Sequence, residues 1–339
     1  MAEESRKSAL LTAIKEHGEA GETKSESTFT VILAFVANLL IAIAKSFAAA
    51  ITGSASMVAE AAHSWADAGN EVFLLFADRR SQRPRDARHP MGYGREAYIW
   101  SMFAAFGLFT AGAVVSIMHG FQELFEPEPA GDFLIAYVVL AISFALEAVS
   151  FTQAYRQARK TAQAIRVPTL EHVANSSNPT LRAVFAEDAA ALIGLLVAFL
   201  GILLHQLTGS PIPDAIGSIT VGILLGVVAV VLIDRNRRFL VGQSASAEVQ
   251  ELAVELLLKR PEIDRVTYLH LEFVGPSKLY LVAAVDLQGN QGEDDVALKL
   301  RKLEREMENF NYIEEAVITL STKDEPSLAS SRESGRSPA

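Results

Sequence analysis

The chain has 339 residues, half of them hydrophobic, no cysteine and a formal charge of −10, with a positive mean hydropathy that is unusual for a water-soluble protein of this size. Without cysteine there is neither a disulfide framework nor a thiolate metal site, so any metal must be held by His, Asp or Glu. The acidic balance makes nucleic acid a poor partner.

Residues 1–26 are polar and lack the apolar core and small-residue cleavage site of a signal peptide, so they are expected to stay on the cytosolic side. Apolar runs at 28–50, 54–78, 97–124, 132–155, 182–206 and 212–234 are each long enough to cross a bilayer, which takes about 20 residues. They predict an all-α membrane domain of six helices over 27–236. No Lys or Arg falls between Lys45 and Arg79, between Arg95 and Arg156, or between Arg182 and Arg235, whereas six arginines crowd 79–95. Basic residues thus collect at alternate connections, which by the positive-inside rule puts both termini in the cytosol. An apolar soluble bundle would not sort its charges this way.

The second run carries Glu60, His63, Asp67, Asn70 and Glu71, spaced so that all five lie on one helical stripe. A charge at mid-membrane costs about 2.5–3.5 kcal/mol on insertion scales, so such residues face a cavity or partner helices. His63 and Asp67 are one turn apart and can converge on one cation. A tetrahedral site needs two more donors, and the other strongly acidic pair in the apolar core is Glu187 with Asp188. The alternative reading is interhelical hydrogen bonding, above all for Asn70. Glu147 in the fourth run is a candidate proton carrier or a group that orients His63; Glu60, Asn70 and Glu71 are further candidates for proton transfer or support of the ligands. Lys45, six residues before the outer turn, is expected to reach outward to water.

After residue 236 the composition changes. A helix at 246–260, strands at 266–273 and 279–286 around the turn at 275–278, a helix at 293–308 and a strand at 312–321 predict a small ferredoxin-like α+β domain over 237–322. Residues 323–339, rich in Ser, Pro and charge, read as a disordered tail.

The stretches GSASMVAEAAHSWAD (53–67), HPMGYGRE (89–96) and DAIGS (214–218), in this order and with this topology, resemble the cation diffusion facilitator family. The resemblance covers about 26–322. It implies a transport site joining His or Asp-x-x-x-Asp on the second helix to His-x-x-x-Asp on the fifth. His63, Asp67 and Asp188 match, Val184 stands at the histidine position, and Glu187 precedes the aspartate, a variant similar to the branch that contains zinc transporter 9. It further implies proton-coupled efflux of a divalent cation by a homodimer paired through the cytosolic domain, and the absence of a transit peptide with the compact loops favours the plasma (inner) membrane. Zinc is the first expectation; Mn²⁺, Fe²⁺ or Co²⁺ are alternatives because carboxylates harden the site. Asp86 and His89 match two positions of a second metal site that some members hold, with Tyr93 in place of a further histidine; an arginine-rich loop facing anionic lipid is the competing reading. In the cytosolic domain only His270, with Asp286 and His172, remains of the family's metal ligands, so pairing without a complete metal site is expected. A membrane-anchored metal-dependent hydrolase is disfavoured by the lack of H-E-x-x-H, and a membrane-anchored signalling protein remains a third class.

Overall fold

The computed structural model describes residues 28–126, 132–164 and 167–328; the polar segment 1–26, most of the outer turn at 126–132 and the end of the expected tail lie outside the described residues. The chain divides into two compact units. One holds Lys24–Arg80 with Glu96–Arg237, the other Ser81–Arg95 with the chain from Arg238 onward.

The helical unit is built from α1 (Thr28–Thr52), α2 (Ala55–Ser81), α3 (Glu96–Ala104) running through a π-helical turn at Ala105–Phe109 into α4 (Thr110–Phe125), α5 (Phe133–Ala164), the short α6 (Thr169–Asn175), α7 (Pro179–Thr208) and α8 (Ile212–Val241). Among the described residues, five segments are long and apolar enough to cross a membrane: Phe35–Thr52, Glu96–Phe125, Phe133–Gln163, Pro179–Thr208 and Ile212–Val241. The helix α2 is as long, at 27 residues, yet falls outside this set because Glu60, Asp67 and Glu71 interrupt it. Large apolar side chains such as Phe47, Phe106, Met118, Leu134 and Val230 point outward, as lipid-facing positions do. Inside, small residues let the helices approach: Ala48, Ala49, Ala136 and Ala198 pack with Met57, Leu195 and Ile202.

Helix ends are set locally. Asn178 caps α7 by accepting from the amides of Thr180 and Leu181, with Pro179 at the first turn, and Gly209 closes the helix at φ 68°. At the opposite face Asp214 at the start of α8 accepts from the Ser56 amide through Oδ1 at 3.2 Å, while Ser56 Oγ donates to the Asp214 carbonyl at 2.9 Å. The DAIGS stretch therefore ties the first turn of α8 to the first turn of α2.

The second unit contains α9 (Ala247–Leu258), β1 (Ile263–Gly275), β2 (Lys278–Leu287), α10 (Glu293–Glu308) and β3 (Ile313–Leu320). The sheet order is β1-β2-β3, with β1 antiparallel and β3 parallel to β2. Leu257, Val266, Leu271, Leu281, Ala283, Val285 and Leu303 form its core. Helix, strand, strand, helix, strand is the order expected; β1 starts three residues earlier than the sequence suggested.

Two boundaries differ from expectation. Residues 322–328 are not free of the sheet: Arg265 donates to the carbonyls of Thr322 and Glu325 at 2.9 and 2.6 Å, and the Leu328 amide to Val266 O at 2.8 Å. The connection 81–95, assigned from sequence to the helical domain, belongs to the second unit. Gly94 lies backbone to backbone against Gly275, Arg95 pairs with Glu272, and Arg85 reaches the Glu314 carbonyl.

Candidate metal centre

Every second-helix candidate except Glu71 is buried: Glu60 at 0%, His63 and Asn70 at 1% and Asp67 at 8% exposure. Buried polar groups in folded proteins are nearly always hydrogen-bonded. His63 breaks this rule at both ring nitrogens and Asp67 at Oδ1. The two face each other, Nε2 to Oδ1, at 3.5 Å. An imidazole lone pair and a carboxylate oxygen that are both buried, unpartnered and convergent are a donor pair for a cation.

Across from α2, the helix α7 presents its acids on two sides because neighbours in sequence are about 100° apart round a helix. Glu187 faces α2 and accepts from Asn70 Nδ2 at 2.5 Å. Asp188 faces α5 and accepts from Ser150 Oγ at 2.8 Å. Asp67 interacts electrostatically with Glu187, Glu147 and Asp188. Val184, at the position where the resemblance puts histidine, packs against an apolar cluster with Phe109, Leu225 and Ala229. Among the described residues no three His, Asp or Glu side chains converge as a closed coordination shell. The expected four ligands stand instead as one facing pair on α2 and two separately hydrogen-bonded acids on α7.

Lys45 does not reach outward. It is 1% exposed and donates to Glu60 Oε2 at 2.8 Å. The physical reason is Glu60 itself: a fully buried carboxylate needs a counter-charge, and Lys45 is the one in reach. Glu147 interacts with Lys45, Asp188 and Glu60. Glu71 accepts from Asn38 Nδ2 at 2.5 Å.

In the second unit, Asp86 is exposed and already occupied. Its Oδ1 accepts from the amides of Arg88 and His89 at 2.9 and 2.8 Å, and Tyr93 donates to Oδ2 at 2.8 Å. The Tyr93 hydroxyl first, then the His89 amide, hold its carboxyl below the ordinary range. The His89 ring packs tilted by 34° against Tyr93, with centroids 4.1 Å apart. This is a self-bonded loop, and Tyr93 binds the aspartate where a further ligand was sought. His270 lies 3.4 Å from Glu272, Asp286 pairs with Arg265 at 2.9 Å, and His172 belongs to the helical unit.

Sequence reasoning missed a buried network. Arg182 on α7, 3% exposed, donates to Asn236 Oδ1 at 2.6 Å and to the Ser176 carbonyl, and Asn236 in turn donates to Ser101 Oγ at 3.0 Å. Arg182 at the first position of the fifth apolar run was the available signal; Asn236 lies in the charged stretch just past the sixth run.

Long apolar helices define a multi-pass membrane protein. Residues 31–241 match the model of the cation efflux transmembrane domain, and the chain belongs to this family, the cation diffusion facilitators. It is 34% identical to metal tolerance protein C4 of Arabidopsis thaliana over 69% of this chain and 51% of that one. It is 36% identical to a mitochondrial proton-coupled zinc antiporter of Xenopus laevis, over 76% of this chain and 46% of that one. The chain thus spans about half the length of these two relatives. Zinc transporter ZitB of Pectobacterium atrosepticum is 24% identical over 90% of this chain and 87% of its own.

Proposed function

We propose that this protein exports a divalent cation, zinc before others, from the cytosol in exchange for protons. The observation that carries this reading is the buried His63–Asp67 pair, with unpartnered nitrogens and oxygen 3.5 Å apart in a helix whose neighbour presents Glu187 and Asp188. His63 and Asp67 are the proposed first ligands, Glu187 the third because it faces α2, and Asp188 the fourth. Glu187 gives one oxygen to Asn70 and Asp188 one to Ser150, which leaves each carboxylate its second oxygen for the ion. Neutral imidazole is the metal-binding form, so metal and proton compete for His63, and this competition couples their movement.

Zinc is favoured by the imidazole and by two of the relatives, which are named as a zinc antiporter and a zinc transporter. Three carboxylates to one imidazole make Mn²⁺, Fe²⁺ and Co²⁺ the second reading. The arginine-poor and arginine-rich connections support cytosolic termini, and the compact connections between helices support the plasma (inner) membrane. Pairing through the α+β unit is part of the proposal. Asp86 and His89 are not proposed as a second site, since their groups bond one another.

Reconstituted protein should move protons only when zinc is supplied. Metal-independent proton leak, or hydrolytic activity without transport, would overturn the antiporter in favour of a membrane-anchored hydrolase or signalling protein. Manganese, iron and cobalt at two pH values rank the substrates.

A further inference from the structure

Glu60, one turn before His63, is fully buried and divides its carboxylate between two surroundings. Oε2 holds the Lys45 ammonium at 2.8 Å. Oε1 has no hydrogen-bond partner. A Cβ on Gly194 of α7 would lie 2.6 Å from Glu60 Oε1 and 3.7 Å from His63 Nδ1. Both atoms therefore face the gap that this glycine leaves open. The ring's other nitrogen, Nε2, is turned to Asp67. His63 thus shows one nitrogen to the proposed cation position and the other to an unused carboxylate oxygen.

Histidine ligands in metalloproteins nearly always give their second N–H to a carboxylate, carbonyl or water, which fixes the tautomer and the ring and raises ligand basicity. We propose that Glu60, anchored by Lys45 and accommodated by Gly194, is the positioning residue for His63. Its Oε1 accepts the Nδ1 hydrogen, directly or through one water, and leaves the Nε2 lone pair for a divalent cation shared with Asp67. This inference rests on the reading of His63 as a cation ligand. Lys45 has two effects here. It neutralises Glu60, so the pair does not compete for the cation, and it fixes Oε2, so only Oε1 is left to turn toward the ring. Glu147 also interacts with both members of this pair, and His63 and Asp67 interact with Lys45.

The test uses the full chain in proteoliposomes and reads KM and maximal rate for zinc uptake. Two double variants, Lys45→Met/Glu60→Gln and Lys45→Met/Glu60→Leu, both remove the ion pair, but only the first keeps an oxygen that can accept from Nδ1. The leucine variant should raise the zinc KM by about 10–100-fold, the usual effect of losing such a partner, and the glutamine variant should stay near the unaltered protein. Equal KM values for the two would assign Glu60 a structural role and overturn the proposal. In a His63→Ala background the leucine and glutamine variants should be indistinguishable, since Glu60 acts through that ring; a persisting difference also overturns it. If His63→Ala alone leaves the zinc KM unchanged, the underlying ligand assignment fails, and the positioning role falls with it. Should neither double variant insert, Gly194→Ala decides the matter. Its methyl displaces Oε1 without removing any donor, and an unchanged zinc KM refutes the proposal.

Discussion

Gly94 and Gly275 touch through their backbones, and this contact sets a quantitative expectation for the connection between α2 and α3. A Cβ on Gly94 would stand 2.7 Å from Gly275 Cα and 2.7 Å from the Val274 carbonyl oxygen, and a Cβ on Gly275 would meet Gly94 Cα at the same distance. Real Cβ atoms do not approach backbone so closely, and neither neighbour is a flexible side chain that can swing away. Gly94→Ala must therefore push the connection off the end of the β1–β2 hairpin. Overpacking of this kind costs about 1–3 kcal/mol, which at about 1.4 kcal/mol per decade raises the undocked population by roughly 5–150-fold. The ion pairs that flank the contact, Arg95 with Glu272 and Arg85 with Glu315, are partly exposed, add at most about 1 kcal/mol each, and are already present in the unaltered protein, so they supply no new stabilisation against the clash. Arg83, Arg85 and Arg88 lie within the connection, and limited trypsin digestion of detergent-solubilised protein reads its opening. When opening is fast relative to cleavage, the rate follows the open population. Gly107→Ala is the control, because a side chain there meets no atom within 4 Å. Equal cleavage rates for the two variants would refute the close-contact argument.

Three further predictions concern the helical unit. Lys45→Met leaves Glu60 as a buried, unpaired carboxylate and should destabilise the protein by about 3–5 kcal/mol, whereas Lys45→Met/Glu60→Leu should cost much less; a thermal unfolding midpoint for the single variant at or above that of the double refutes the pairing. Asp67→Ala should abolish zinc uptake with insertion retained, and His63→Ala should weaken zinc more than manganese, since imidazole suits zinc and carboxylates suit manganese; an equal loss for both metals removes His63 from selectivity. Glu187→Ala should reduce zinc affinity more than Asp188→Ala, because Glu187 faces α2 while Asp188 is turned to Ser150; titration calorimetry on purified protein checks the order, and the reverse order would return the leading role to Asp188.

Much of the architecture was legible because membrane helices advertise themselves through length and the placement of arginine. The stripe from Glu60 to Glu71 was legible for the same reason: its spacing shows on any helical wheel. Legibility ended where the argument needed rotation of one helix against another. Whether Glu187 or Asp188 faces α2 depends on how α7 turns about its axis, and two adjacent residues in sequence carry no record of that. The distance of Lys45 from the outer turn suggested water as its partner. Its actual partner, Glu60, lies across the α1–α2 turn, 15 residues on, and only the packed structure brings them together. The docking of 81–95 left no periodic trace either, since a backbone contact between two glycines has no side chain to form a pattern.

The helix that carries the proposed ligands is also the one least suited to lipid, and its composition shows how that is tolerated. Between the polar positions of α2 stand Ala59, Ala61, Ala66 and Ala68, all buried, and small residues of this kind let neighbouring helices approach closely in a membrane. Close approach is what allows Asn70 to reach Glu187 and Lys45 to reach Glu60. Among the described residues, the buried atoms of α2 left without a hydrogen-bond partner are both ring nitrogens of His63, Asp67 Oδ1, Glu60 Oε1 and, one turn further on, Glu71 Oε2. A helix stabilised only by its own hydrophobicity could not leave such groups unsatisfied at mid-membrane, where each costs several kcal/mol. In α2 the neighbouring helices carry that cost, and the unsatisfied groups remain available to a cation.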